Sequence, residues 1–230
     1  MNENSVIAPP KPKAALFDWD NTLAENWRSI QAALNEALAD AGKRPFTLEE
    51  TMFSGRHSGR EVFPRLFGDG WQRARDIFYA HFQRNHLAGL RLMPGAEDLM
   101  DSLTACGVPL ALVSNKAGDV LRREVEHLGW TRRFATIVGA QDAAADKPHP
   151  APILLALENC ELSAGSDIWL IGDTDVDMRA GRAAGCTCVL VGPGPSDPVL
   201  LEGAEPEFRF DDCSMFAGFI RSAWNTISVE

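Results

Sequence analysis

Short apolar runs recur along the chain, and each stops at a polar or glycine-rich turn. Residues 14–17 run into Asp18, 109–113 into Ser114, 135–138 into Gly139, 168–171 into Gly172 and 187–191 into Gly192. Near-continuous apolar runs of this length predict strands covered on both faces, as in a parallel sheet. Helical periodicity fills the intervals. Residues 96–106 carry Leu99, Met100 and Leu103 on one face, and residues 118–128 carry Leu121, Val125 and Leu128. Further helices are predicted over 151–160, 175–184 and 214–226, with Gly107, Gly129 and Gly185 as stops. Strands alternating with helices predict an α/β fold, a doubly wound parallel sheet. Ligands of such folds bind outside the carboxyl ends of the strands, near a change in strand order.

The stretch 24–92 breaks this alternation. Ile30, Leu34, Ala37, Leu38 and Ala41 recur at helical spacing, as do Val62, Phe63 and Leu66, and then Trp71, Ala74, Ile77, Phe78 and Phe82. The expected organisation is a loose tail over 1–13, a core made of 14–23 and 93–230, and an all-helical cap over 24–92. The tail holds three prolines and no continuous apolar segment of the kind a secretory signal needs.

Composition narrows the partners. The net charge of -10, with no Lys/Arg stripe to offset it, argues against nucleic acid and anionic membrane surfaces. No apolar run approaches membrane-spanning length. The five cysteines show no metal-ligand spacing, and their odd number points to reduced thiols and a cytoplasmic protein. Acidity overall does not bar an anionic substrate, because local cations set the field inside a site.

The residues with chemical potential gather at the strand ends. Asp18 and Asp20 lie two apart, so their carboxylates leave extended backbone on the same side. Two close carboxylates ionise together only with a cation beside them, and magnesium, a hard ion that takes oxygen ligands, suits that demand. Ser114 and Asn115 follow the second run, Lys147 precedes a helix, and Asp173, Asp175 and Asp177 follow the fourth run. Each alone also reads as a turn residue, a solvated charge or a helix cap. Four such groups in order, each at a strand end, point to one shared pocket.

With those motifs the chain resembles the haloacid dehalogenase superfamily, in its phosphatase branch with a helical cap inserted after the first motif. The pattern D-x-D-x-T stands here as Asp18-Trp19-Asp20-Asn21-Thr22, followed by Ser114 in Leu112-Val113-Ser114-Asn115-Lys116, Lys147, and Gly172-Asp173 with Asp177. Asn21 departs from the glycine that many relatives carry. The resemblance implies a Rossmann-like core, Asp18 as nucleophile and Asp20 as general acid and base. It implies Ser114, Asn115 and Lys147 around the phosphate. Mg2+ would be held by Asp18, the backbone carbonyl of Asp20, and Asp173, with Asp177 or Asp175 in support. An acid at position 20 separates the chain from dehalogenases and from phosphonate-cleaving relatives, which favours phosphomonoester hydrolysis.

The substrate implied is a small phosphorylated metabolite, and the similarity is greatest to phosphoglycolate phosphatases. A sugar-phosphate phosphomutase of the β-phosphoglucomutase type shares Asp18, Asp20 and the cap. A non-catalytic binding protein on the same fold would be expected to lose Asp18, Asp20, Lys147 or Asp173, all of which are present. Within the cap, the turn 54–60 offers Arg56, His57 and Arg60. Arg56 is the expected contact to a substrate carboxylate or second anion, against a plainer reading as a solvated helix residue.

Overall fold

The protein is described here as a computed structural model covering residues 9–195 and 197–224. The first eight residues of the expected tail and the last two of the expected final helix lie outside the described residues. The first strand, β1 (Ala14–Phe17), is followed by the short β2 (Ala24–Glu25) and by helices α1 (Trp27–Asp40), α2 (Leu48–Ser54), α3 (Gly59–Phe67) and α4 (Trp71–Gly89). The chain then returns through β3 (Arg91–Leu92) to α5 (Ala96–Ala105), β4 (Leu110–Ala117), α6 (Gly118–His127) and β5 (Phe134–Ala140). It continues through α7 (Ala151–Asn159), β6 (Ile168–Gly172), α8 (Asp175–Ala184), β7 (Thr187–Val191), β8 (Phe208–Phe210) and α9 (Cys213–Trp224).

Six strands form one parallel sheet in the order β5-β4-β1-β6-β7-β8. Side-chain alternation along β1 sends Ala15 and Phe17 to a core shared with α5, α6 and α9, and Ala14 and Leu16 to one shared with α7 and α8. Both faces are therefore covered, which is why the strands read as unbroken apolar runs. The chain builds outward from β1 to β4 and β5, then returns to β6 on the other side of β1. The order reverses between β1 and β6, and the crevice of a doubly wound sheet opens there. Phe17 lies level with Leu112 and with Ile171, so the residues leaving β1, β4 and β6 emerge together.

Three features differ from the sequence expectation. The cap is not wholly helical, because β2 and β3 pair antiparallel at its base. Helix α2 was not predicted, although Thr47 and Glu50 form a capping box at its start, a signal legible in sequence. Strand β8 was also missed; it has only three residues at the sheet edge.

Candidate active site

Strand β1 hands over to a tight loop. The amide of Asp18 still donates to the Ile171 carbonyl at 2.8 Å, extending the β1–β6 register by one residue. The Trp19 carbonyl then accepts from the amides of Leu23 and Ala24, and Asn21 turns the chain at φ 66. Asparagine is among the few side chains that tolerate this left-handed region. The indole of Trp19 is fully buried and meets Trp130 edge-on, anchoring the segment between the two acids.

Lys147 Nζ donates to Asp18 Oδ1 at 2.7 Å and to Asp177 Oδ1 at 2.6 Å. Asn21 Nδ2 donates to Asp173 Oδ2 at 2.9 Å, so the residue standing in place of glycine orients one of the acids. Asp18, Asp173 and Asp177 each offer an oxygen within 4.8 Å of the others. Burial pushes the Asp18 carboxyl up to about 6, with Asp177 and Asp20 adding to the rise against Lys147. Burial also holds Asp173 well above the carboxylate range, reinforced by Asp177 and Asp18. Burial opposes the charge on Lys147, yet Asp177 and Asp18 outweigh it and raise its pKa. Three carboxylates thus face one ammonium in a buried pocket. That excess of negative oxygen ligands fits a hard dication.

Gly172 makes this packing possible, since a β-carbon there would sit 2.4 Å from Cγ of Asp177. The sequence left Asp175 and Asp177 as alternatives at the cluster, and the structure separates them. Asp177 folds back over the start of α8, where its Oδ2 accepts from Thr174 Oγ1 at 2.8 Å. Asp175 faces the cap instead.

Ser114 is buried within β4, two residues past its last pairing with β1, and accepts from the Lys116 amide at 3.2 Å. Asn115, expected near the phosphate, lines the cavity with its amide engaged by backbone. Its Oδ1 accepts from Lys147 N at 2.9 Å, and its Nδ2 donates to Lys147 O at 2.8 Å and Arg56 O at 3.2 Å. Both ends of the amide are engaged, so Asn115 fixes the loop that carries Lys147.

A second charged centre went unrecognised in the sequence. Lys116 Nζ donates to Asp20 Oδ1 at 2.6 Å and to Glu124 Oε2 at 2.8 Å. Glu124 is fully buried and also takes Trp19 Nε1 at 2.7 Å, Asn26 Nδ2 at 3.0 Å and His86 Nδ1 at 2.8 Å. Burial alone would raise the Glu124 carboxyl, but Lys116, His86 and Trp19 overcome it and hold it down at about 2. Burial raises Asp20, with Lys116 pulling the other way. The signal was available: Glu124 stands three residues after Leu121 and one before Val125, a charge on the apolar face of α6.

Arg56, expected to meet a substrate anion, is paired instead. Its Nη1 donates to Asp175 Oδ1 at 2.6 Å, with both side chains about one-tenth exposed, and its guanidinium lies over the Phe53 ring. Arg60 Nη1 donates to the Ala144 carbonyl at 3.3 Å. These contacts clasp the turn between α2 and α3 to the core. Arg56→Ala is therefore expected to lower kcat/KM by a similar factor for phosphate esters with and without a carboxylate. The factor should be roughly ten- to hundredfold, as for a lost hydrogen bond between charged groups. A loss confined to carboxylate-bearing esters in steady-state assays would restore Arg56 as a substrate contact.

Under the clasp lies a cavity of about 880 Å³ that runs from Asp18, Asp20 and Asp173 into the cap, bounded on one side by Pro193 and Gly194. The segment after β7 thus contributes a wall.

A doubly wound core, an inserted cap and acids at the reversal of strand order define a class. The family Haloacid dehalogenase-like hydrolase matches residues 15–191, and the chain belongs to it. Among curated proteins, the phosphoglycolate phosphatase of Rhodospirillum rubrum is 32% identical over 208 residues, 84% of this chain and 85% of that protein. A HAD-superfamily hydrolase from Ehrlichia chaffeensis has a TM-score of 0.64 at 26% identity, over 94% of this chain and 99% of its own. A predicted phosphoglycolate phosphatase from Haemophilus somnus shares the fold with a TM-score of 0.76 at 24% identity, over 88% of this chain and 95% of its own.

Proposed function

We propose that this hydrolase is a magnesium-dependent phosphomonoesterase working through a phosphorylated Asp18, with the reaction type of the curated relatives named phosphoglycolate phosphatase. The observation that carries the reading is the meeting of Asp18, Lys147, Asp173 and Asp177 at the reversal of strand order. Asp18 attacks phosphorus, and the alcohol leaves with a proton from Asp20. Asp20 then takes a proton from the water that opens the aspartyl-phosphate. Lys147 and Ser114 receive the equatorial oxygens, Lys147 supplying charge where it develops. Asp18, Asp173 and the backbone carbonyl of Asp20 would hold Mg2+, with Asp177 supporting through Lys147, and the bound charge would offset repulsion between carboxylate and phosphate. Five cysteines outside any disulfide, and no helix among the described residues long and apolar enough to cross a membrane, are compatible with a cytoplasmic setting.

The test is hydrolysis of p-nitrophenyl phosphate with Mg2+ and with EDTA; activity that ignores the chelator would refute the metal's part. Thermal melts add an independent check. The Asp18 carboxyl stands at about 6 against an ordinary 3.8, so it binds its proton more tightly when folded. Its contribution to stability is complete below the ordinary value and disappears as pH climbs through about 6. Mg2+ held by Asp18 would take the place of that proton. The rise in Tm on adding Mg2+ is expected to be larger at about pH 8 than at about pH 5. Equal increments at both would contradict a metal seated on Asp18.

A further inference from the structure

The walls of the cavity above Asp18 and Asp20 are mostly apolar. Ile30, Leu34, Phe46, Met52, Phe78 and Val120 line it, and four of these, Ile30, Phe46, Met52 and Phe78, are only partly covered by protein. The Lys and Arg side chains on its surface are each already engaged. Lys147 is held by Asp18 and Asp177, Lys116 by Asp20 and Glu124, and Arg56 by Asp175, while His57 Nδ1 lies 3.3 Å from Glu61. Among the described lining residues, no Lys or Arg lacks an acidic partner, while the buried His57 Nδ1 makes no hydrogen bond. A carboxylate on the leaving group would enter an apolar chamber with no unengaged Lys or Arg to receive it, which is costly. An apolar leaving group would instead cover surface that is now partly exposed. Trp27, also on the wall, carries a buried indole N–H without a hydrogen-bond partner among the described residues, a donor for one acceptor atom on such a group.

We infer that the cap selects phosphomonoesters of apolar alcohols, alkyl or aromatic in body, in preference to those of small hydroxy acids. This rests on the phosphomonoesterase reading and adds the class of leaving group. The volume is compatible with it, since about 880 Å³, shared between the catalytic end and the cap, exceeds what a phosphate and a two-carbon acid fill.

The test compares kcat/KM of the wild-type enzyme with Mg2+ for ethyl, butyl, hexyl and 2-phenylethyl phosphate and for phosphoglycolate. The alkyl series keeps leaving-group basicity nearly constant, so it isolates burial. The constant is expected to rise roughly three- to fourfold for each methylene that enters the chamber, with hexyl phosphate exceeding phosphoglycolate. A flat or falling series, or phosphoglycolate as the best of the set, would overturn the inference. If p-nitrophenyl phosphate is hydrolysed while the series is flat, only the leaving-group assignment fails; if neither it nor the esters turn over, the phosphomonoesterase reading fails as well. Met52→Arg, which places a cation on the wall, is expected to reverse the ranking of hexyl phosphate and phosphoglycolate. Should that variant not fold, the wild-type series decides alone.

Discussion

Asp18→Asn is expected to lower Mg2+-dependent turnover roughly 10⁵-fold or more, the scale on which enzymes fail when a covalent nucleophile is removed. An amide keeps nearly the shape of the side chain but cannot form the acyl phosphate. The variant should fold, because it removes one of three crowded acids around Lys147, a group that burial already pushes up to about 6. Its Tm in EDTA is expected to equal or exceed that of the wild type. Rapid quench with radiolabelled substrate should recover phosphoprotein from the wild type and none from the variant. Turnover near the wild-type rate in the folded variant would remove Asp18 from the role.

Asp20→Asn is expected to separate the two halves of the reaction. Loss of the acid should slow alkyl phosphates by roughly 10²- to 10⁴-fold, the usual contribution of a placed proton donor. Nitrophenolate leaves without needing a proton, so p-nitrophenyl phosphate should still load Asp18. With no base to activate water, the phosphoenzyme should then accumulate. Stopped-flow absorbance should show a burst of nitrophenolate equal to the enzyme concentration, then a slow phase. Equal slowing of both ester classes without a burst would deny Asp20 its part in proton transfer.

Much of this architecture was legible in the chain because its signals are local. An apolar run bounded by a turn needs no partner to be seen, and five of the six sheet strands announced themselves this way. So did the acids, since a carboxylate at the end of a buried strand has few places to go. What escaped detection depends on contacts between distant residues. Arg56 and Asp175 are 119 residues apart, and no local pattern reports that they pair. The choice between Asp175 and Asp177 turned on helix geometry, because two residues apart on a helix the side chains diverge. One meets the cap and the other returns to Lys147. The grip of the Asn115 amide on the Lys147 loop was equally invisible, because the two are 32 residues apart. Glu124 was recoverable, as an acid on the apolar side of α6, but its four donors come from four separate parts of the chain.

Those four donors have a mechanical consequence. Asn26 stands at the entrance of the first cap helix and His86 near the exit of the last, so both ends of the inserted segment meet a single carboxylate. The same carboxylate steadies the ammonium that holds Asp20. The seating of the inserted segment on the core and the placement of the Asp20 side chain are therefore not independent settings, since both rest on one buried pivot.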